Sequence, residues 1–385
     1  ARLGLEDAYR FARGDQVISS TGQPVKLSRP LDWLVIADHS DGMGLINDLA
    51  AASPQVIRFE QGARWSKGLR AGGQTAVDTA LDLITTFSQG KIDPELLATY
   101  SPGSKIYASI WEKVVKAAED YNDPGRFTAL IGFEWTSLVK GNNLHRNVIF
   151  RDNGNKAAQV VPYTTQEPIG STDPLDLYKW MENYEKKTGG TLLALSHNGN
   201  LSNGLMFPVD AQYTGRKLDK RYVEQRARWE PLYEVSQIKG DGEAHPLLSP
   251  DDAFADYETW DVGNLDLSEA KKPEMLQYEY ARAALQNGLL LEYVIQMAPI
   301  PQGSGEPPVL GHYEPLDDEA VPKDWLAGQI CMQSMIIAAT VGPVVVQEVV
   351  AAECESGWDA YCDPGCPATV GTTIETLDPG ALLGG

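Results

Sequence analysis

Short apolar runs alternate with stretches of helical periodicity along most of this chain, and this alternation constrains its fold most. A helical face recurs over 105–121, with an apolar run directly after it. Pro174 begins a second helical stretch, which Gly189 ends before the apolar run 191–196. Repeated strand and helix units are typical of α/β domains with a mainly parallel sheet. We therefore predict an α/β fold up to about residue 295.

The same patterns predict three further elements before that boundary. They are a strand over 232–239, a helix over 273–285 that Asn287-Gly288 ends, and a last strand over 289–295. The long stretch 199–229 is expected to carry loops of a functional site.

Residues that can bind a metal stand where the apolar runs begin or end. Strand ends of an α/β sheet are the usual place for sites, and a carboxylate on an apolar strand is costly to bury unless it is paired or bound to a metal. Neutral imidazole with carboxylate suits Zn²⁺, Mn²⁺ or Fe²⁺. Each histidine alone is also typical of the core or surface, but their coincidence predicts a metal site. The four candidate ligands are His39, Glu134, His145 and His197.

A second polar cluster follows the predicted strand 232–239. Lys239 is a candidate to hold a substrate anion, and Glu243 or His245 a candidate acid or base. An ordinary polar loop is the alternative. Near the predicted ligands, Arg146 could bind an anionic group bidentately or form a salt bridge, and Asn198 offers a hydrogen-bond donor to the substrate.

The charge and hydrophobicity of the chain limit the kinds of partner that it can bind. The formal net charge of −21 argues against nucleic acid and anionic lipid surfaces, and the chain lacks the roughly twenty consecutive apolar residues of a membrane span. The expected partner is a small molecule, with the oligomeric state left open. The amino-acid composition changes after about residue 295. All four cysteines follow residue 330, and no lysine or arginine follows Lys323. We predict a divergent acidic, cysteine-containing segment over 296–385.

Several of these segments together resemble a known family. The stretch from about 5 to 292 resembles the domain-of-unknown-function 3604 family, which is allied to the PHP (polymerase and histidinol phosphatase) metallohydrolases. The matching segments are 7–12, 33–40, Gly132-Phe133-Glu134-Trp135-Thr136, 145–151, Ser196-His197-Asn198-Gly199-Asn200 and 237–246.

The resemblance implies a PHP-like distorted (β/α)₇ barrel that holds two or three metal ions at its strand ends, with a metal-activated water attacking a phosphoester or similar ester. By position, Glu134, His145 and His197 match the ligands of one metal, and His39 matches a ligand of a neighbouring one. The expected cofactor is a divalent metal, Zn, Mn or Fe. Family members are often exported, which slightly favours the periplasm or export over the cytoplasm.

The chain also departs from that family pattern. No His-x-His motif precedes Asp7, and no Asp-x-His motif follows Glu292. This leaves open whether the barrel is complete at its first and last strands, and whether a chain that starts at Ala1 is processed, trimmed or a fragment. The predicted function is a divalent-metal-dependent hydrolase of a phosphoester or similar ester. The alternative is a catalytically degenerate PHP-like domain with a binding or structural role.

Overall fold

The computed structural model describes residues 3–297, with side chains through residue 289, and is built around one five-stranded sheet. The sheet is curled into a half-barrel, and its strands lie in chain order. This confirms the predicted α/β class. The strands are β1 (Trp33–Ile36), β2 (Thr128–Trp135), β3 (Arg146–Phe150), β4 (Leu192–Ser196) and β5 (Leu232–Tyr233).

The sheet is mixed, so the expectation of a mainly parallel sheet is wrong. β1 pairs with β2 and β4 with β5 in parallel, but β3 runs antiparallel to both of its neighbours. Only residues 136–145 join β2 to β3, and so short a connection reverses the chain, because a parallel crossover needs a dozen or more residues. As a result, β3 begins at the sheet edge where the other four strands end.

Helices cover one face of the sheet and extend beyond it. The bounds are α1 Leu5–Ala12, α2 Leu45–Ala51, α3 Pro54–Ile57, α4 Glu60–Ala71, α5 Gly73–Ser88, α6 Pro94–Thr99, α7 Lys105–Tyr121, α8 Gly154–Ala157, α9 Pro174–Thr188, α10 Lys220–Trp229 and α11 Ala281–Met297. Two 3₁₀ turns span Gly199–Leu201 and Pro273–Tyr278. Three short hairpins pair Val17–Ile18 with Pro24–Val25, Leu138–Val139 with Asn142–Asn143, and Ser236–Gln237 with Gly240–Asp241.

The main core lies between the sheet and helices α1, α7 and α9. Phe133 and Phe150 project from the strands and pack with Trp111 of α7 and Tyr184 of α9, all buried. Burying one such aromatic side chain contributes about 2–3 kcal/mol. Because side chains alternate along a strand, Glu134, the neighbour of Phe133, points to the opposite face.

Among the described residues, the opposite face of the sheet has a small apolar cluster. Val35, Ile149 and Leu195 form its buried centre. On this face Asn147 lies directly across from Glu134 in the β2–β3 ladder. Within the described residues, the polar groups of the sheet edge therefore lie next to a small apolar cluster and not inside a full core.

Helices α2 to α6 enclose a second core that the sequence did not predict. Its buried members are Leu45, Leu49, Val56, Trp65, Ile92, Leu96 and Tyr100. This helical unit follows β1, and so it occupies the connection from β1 to β2.

Most predicted elements are confirmed, and three are corrected. The helices over 105–121 and from Pro174 to Gly189 are present, as is the strand over 191–196. The predicted strand over 289–295 is wrong, because those residues belong to α11, whose apolar run fits either element by periodicity alone.

The two other corrections concern breaks within a predicted element. The strand predicted over 232–239 stops at Tyr233 and is followed by a separate hairpin strand. The helix predicted from Pro273 is a 3₁₀ turn that ends before α11 starts. The predicted segment 296–385, with its cysteines, lies outside the described residues apart from the last two residues of α11. Within the described part of the chain no helix is long and apolar enough to cross a membrane.

A buried charged network ties β3 to β4 on the helix-covered side of the sheet. The Glu230 carboxylate accepts hydrogen bonds from Arg146 Nε at 2.8 Å and Ser196 Oγ at 2.7 Å, and one from the Tyr178 hydroxyl. Arg226 Nη2 lies 3.2 Å from the same carboxylate. Burial would raise the pKa of Glu230, but the two guanidinium groups lower it to about 2.

This network predicts a defined loss of stability in acid. Because the pKa of Glu230 in the folded protein is below its ordinary 4.5, its stabilisation is complete above that pH and is lost as the pH falls towards 2. At pH 7 Glu230→Gln leaves two buried guanidinium groups without a carboxylate and should cost about 3–5 kcal/mol. Urea unfolding at pH 7, 4 and 3 measures the free energy of unfolding. The difference in this free energy between Glu230→Gln and wild type should shrink as the pH falls.

The matched control is Glu224→Gln, which removes an exposed partner of Lys220 and should change stability by less than about 0.5 kcal/mol. A Glu230→Gln penalty that is the same at all three pH values would contradict the charge-based account.

Candidate metal centre

The reversal of β3 brings the four predicted ligands to one edge of the sheet. His39 follows β1, Glu134 lies near the end of β2, His145 precedes β3 and His197 follows β4. The strand ladders continue through them. The backbone N–H of Glu134 donates to the Asp38 carbonyl at 2.8 Å, and that of His197 donates to the His145 carbonyl at 3.1 Å.

Glu134 is the centre of this cluster. Its Oε1 is 2.6 Å from His145 Nδ1 and 3.5 Å from His197 Nε2, and its Oε2 is 3.2 Å from His39 Nε2. The potential ligand atoms of His39, Glu134 and His145 all lie within 4.8 Å of one another. This group could hold a metal ion. His197 adjoins it through the same carboxylate.

The four residues differ in exposure. Glu134, His145 and His197 are buried, whereas 30% of the His39 side chain is exposed. Among the described residues, His39 is therefore the member of the cluster that reaches solvent.

The protonation states of the cluster suit cation binding. Burial alone would raise the pKa of Glu134, but His39, His197 and His145 hold it well below its usual range. Burial also lowers the pKa of His145 to about 4, against the opposing effect of Glu134. At neutral pH the carboxylate is thus ionised and His145 is neutral, the states in which both can bind a metal.

One orphaned atom tests whether a cation fits here. Glu134 Oε2 is fully buried and accepts no hydrogen bond from any residue that the structure describes. Such an oxygen is costly without a partner, and a cation would supply one. The set of imidazole nitrogens and carboxylate oxygens fits Zn²⁺, Mn²⁺ or Fe²⁺.

Comparison with known proteins identifies the family. A family model described as "Protein of unknown function (DUF3604)" matches residues 1–304. The chain belongs to this family. The match spans all four cluster residues and confirms the resemblance seen in the sequence at the level of DUF3604. Neither the curated proteins nor the solved structures contain a match to the chain.

The DUF3604 chain also places a residue at the cluster that sequence reasoning missed. Glu234 follows β5, and its Oε1 is 2.6 Å from His197 Nδ1. Its Oε2 accepts a hydrogen bond from the Asn198 backbone N–H at 2.9 Å. The sequence placed Glu234 inside a strand over 232–239. The rule that found the other ligands, a metal-binding residue where an apolar run begins or ends, applies equally to Glu234 after Leu232-Tyr233.

Two further predicted residues lie near the cluster. Lys239 is half-buried; burial lowers its pKa, while the charges of Glu134 and Glu234 oppose that shift, so its ammonium lies within their electrostatic reach. Within residues 3–289 this ammonium donates no hydrogen bond and forms no ion pair. Asn198 is buried with a left-handed backbone, and its Oδ1 has no partner among the described residues.

The remaining predicted residues are engaged elsewhere. The guanidinium of Arg146 belongs to the Glu230 network, so its salt-bridge alternative is what the structure shows. Glu243 pairs with Arg282 at 2.8 Å. His245 has both ring nitrogens occupied, with Nε2 2.9 Å from Asp261 Oδ1 and Nδ1 3.2 Å from the Leu247 backbone nitrogen. No contact joins Glu243 or His245 to the cluster in the described part, and their acid–base role stays a prediction.

The cluster predicts metal-dependent stability. Zn²⁺ or Mn²⁺ at a hundredfold excess over its dissociation constant should stabilise the folded protein by about 3 kcal/mol. Glu134→Gln should abolish most of this gain, because it removes the charge that all three imidazoles surround. Thermal unfolding of EDTA-treated protein, with and without added metal, measures the effect. Glu224→Gln should respond as wild type does, and an equal gain for Glu134→Gln would contradict the assignment.

Proposed function

We propose that this DUF3604 protein is a divalent-metal-dependent hydrolase, PHP-like in its site, that acts on a phosphoester or similar ester of a small molecule. The observation that carries the proposal is the buried Glu134 carboxylate, which three imidazoles surround at a strand-end edge where His39 is partly exposed. A buried acid with this partner set is costly unless it binds a cation. A divalent cation in such a centre can generate the nucleophilic water that hydrolysis needs.

The two oxygens of Glu134 face different partners. Oε1 faces His145 and His197, whereas Oε2 faces His39. Oε1 thus agrees with the allocation that the family pattern implied, in which Glu134, His145 and His197 hold one metal. The ligand atoms of His39, Glu134 and His145 also lie within 4.8 Å of one another, so His39 could bind the same cation or a neighbouring one. Zn²⁺ or Mn²⁺ fits the nitrogen and oxygen donors. When bound, the cation would supply Lewis acidity to the ester and lower the pKa of water.

The residues of the chain would bind and orient the substrate. The partly exposed His39 would meet the substrate first, and the buried His145 and His197 would bind away from bulk water. The Lys239 ammonium, which has no ion pair among the described residues, is available for an anionic group of the substrate. An ammonium near the cluster would favour a phosphoester over a neutral ester.

The order and placement of the candidate ligands support the proposed kinship with PHP metallohydrolases. His39, Glu134, His145 and His197 lie in sequence order at consecutive strand ends of a half-barrel. Within residues 3–297 the main sheet has five strands, and the other strands are confined to two-residue hairpins. The proposal therefore depends on the surviving cluster and on no motif from a first or last barrel strand.

Turnover assays test the proposal directly. The full chain, loaded with Mn²⁺ or Zn²⁺, should hydrolyse p-nitrophenyl phosphate, bis-p-nitrophenyl phosphate or p-nitrophenyl acetate, and EDTA should stop it. Glu134→Ala should lower kcat by about a hundredfold or more. Lys239→Met should raise KM for the phosphate substrates by about tenfold and leave KM for the acetate unchanged.

Glu224→Gln should match wild type in all three assays. Metal-loaded protein without turnover of any of the three substrates would refute the hydrolase and favour the alternative of a degenerate domain that only binds.

A further inference from the structure

His197 pairs with the carboxylate of Glu234, a residue outside the predicted ligand set. Glu234 is buried, with about 2% of its side chain exposed, and contacts two consecutive residues. One carboxylate oxygen lies against His197 Nδ1, and the other accepts from the Asn198 N–H. A carboxylate held at both oxygens has one orientation, and it imposes that orientation on the imidazole.

This contact determines which nitrogen of His197 carries the proton. An ionised carboxylate only accepts hydrogen bonds, so the Nδ1 atom at 2.6 Å must donate. In a neutral imidazole Nε2 then carries a lone pair. That lone pair lies 3.5 Å from Glu134 Oε1, which is also an acceptor. Two buried acceptors that face each other repel unless a cation lies with them.

The backbone around His197 is held independently of Glu234. Asn143 Nδ2 donates to the carbonyls of both His197 and Asn198, at 2.8 and 3.0 Å. Asn198 has a φ of 54°, a left-handed conformation that asparagine tolerates well. The chain thus uses Asn143 to hold the backbone and Glu234 to hold the ring. His145 differs, because its Nδ1 faces Glu134 directly.

We propose that Glu234 is a positioning residue, which holds the proton of His197 on Nδ1 and thereby makes Nε2 a metal ligand. This inference rests on the proposed function, since it assumes that the cluster binds a divalent cation. Glu234, which follows β5, would then orient His197, and His197 would bind the metal. The predicted ligand set had assigned no residue to β5.

Glu234→Gln is the informative variant because it retains the shape of the side chain. If the amide oxygen stays on His197, the amide NH₂ faces the Asn198 N–H, which is also a donor. If the amide turns over, its NH₂ faces Nδ1 and moves the histidine proton to Nε2, where it blocks metal binding. Either arrangement should weaken metal binding by about 10- to 100-fold.

The test measures Zn²⁺ and Co²⁺ affinity of the full chain by competition with a chelator. Glu234→Gln should lose about 10- to 100-fold in affinity, and its Co²⁺ visible spectrum should change because His197 is misoriented or lost as a nitrogen ligand. In a His197→Gln background Glu234→Gln should have no further effect, since a residue that acts only through His197 has nothing left to position. Glu224→Gln should bind as wild type does.

The proton position is read without metal. Nitrogen-15 NMR of histidine-labelled, metal-free protein should show the Nδ1–H form of His197 in wild type. In Glu234→Gln this form should be lost where the amide turns over and kept where the amide oxygen stays on His197, so the spectrum tells the two arrangements apart. If Glu234→Gln does not fold, Glu234→Asp, which cannot reach both partners at once, should lose at least about threefold in affinity.

Three results would overturn the inference. The inference is refuted if wild type binds Zn²⁺ or Co²⁺ and the affinity of Glu234→Gln, or of Glu234→Asp in its place, stays within twofold of wild type. The proposed function would then still stand. A doubly protonated His197 in metal-free wild type at pH 7 refutes the proton assignment. Wild type that binds neither ion refutes the proposed function, and this inference with it.

Discussion

The buried charge of Glu134 is the constraint on which this structure depends. A carboxylate buried at the end of β2 must be compensated, and the chain places around it three imidazoles that lower its pKa and could share a bound cation with it. His39, His145 and His197 come from positions far apart in the sequence, so compensation requires that β1 to β4 all meet at one edge. The catalytic proposal and the packing of the sheet thus rest on the same group.

The antiparallel strand β3 satisfies that requirement. In an all-parallel sheet the start of β3 would lie at the far edge, and His145 would be a strand's length from Glu134. The short connection 136–145 reverses the chain, and the Glu230 network then holds the adjacent ends of β3 and β4 together from the helix side. One face of these strand ends carries the structural ion pairs, while the other carries the candidate site. Neighbouring residues such as His145 and Arg146 therefore have unrelated roles.

Local patterns accounted for a large part of the architecture. The apolar periodicity of α7, the Asp173-Pro174 start of α9 and the Gly189 end all act within a few residues, so they can be recognised without tertiary information. The apolar run in α11 is compatible with a strand or a helix, and packing decides between them. The site could be predicted only in part for the same reason. A histidine at the end of an apolar run can be recognised in the sequence, whereas the partners of Arg146, Glu243 and His245 cannot.

The sequence by itself determined the α/β class, the positions of the principal strands and the four residues of the cluster, because hydrophobic periodicity and residue chemistry are local properties. The direction of β3 follows from the short connection 136–145, which is too short for a parallel crossover. Only the tertiary structure decided the diversion of Arg146 into an ion pair and the contact of Glu234 with His197. Each of these depends on which groups meet across the sheet once the chain is compact. Distance and burial determine whether a charged side chain compensates another or stays free for a ligand, and neither is encoded at a single position.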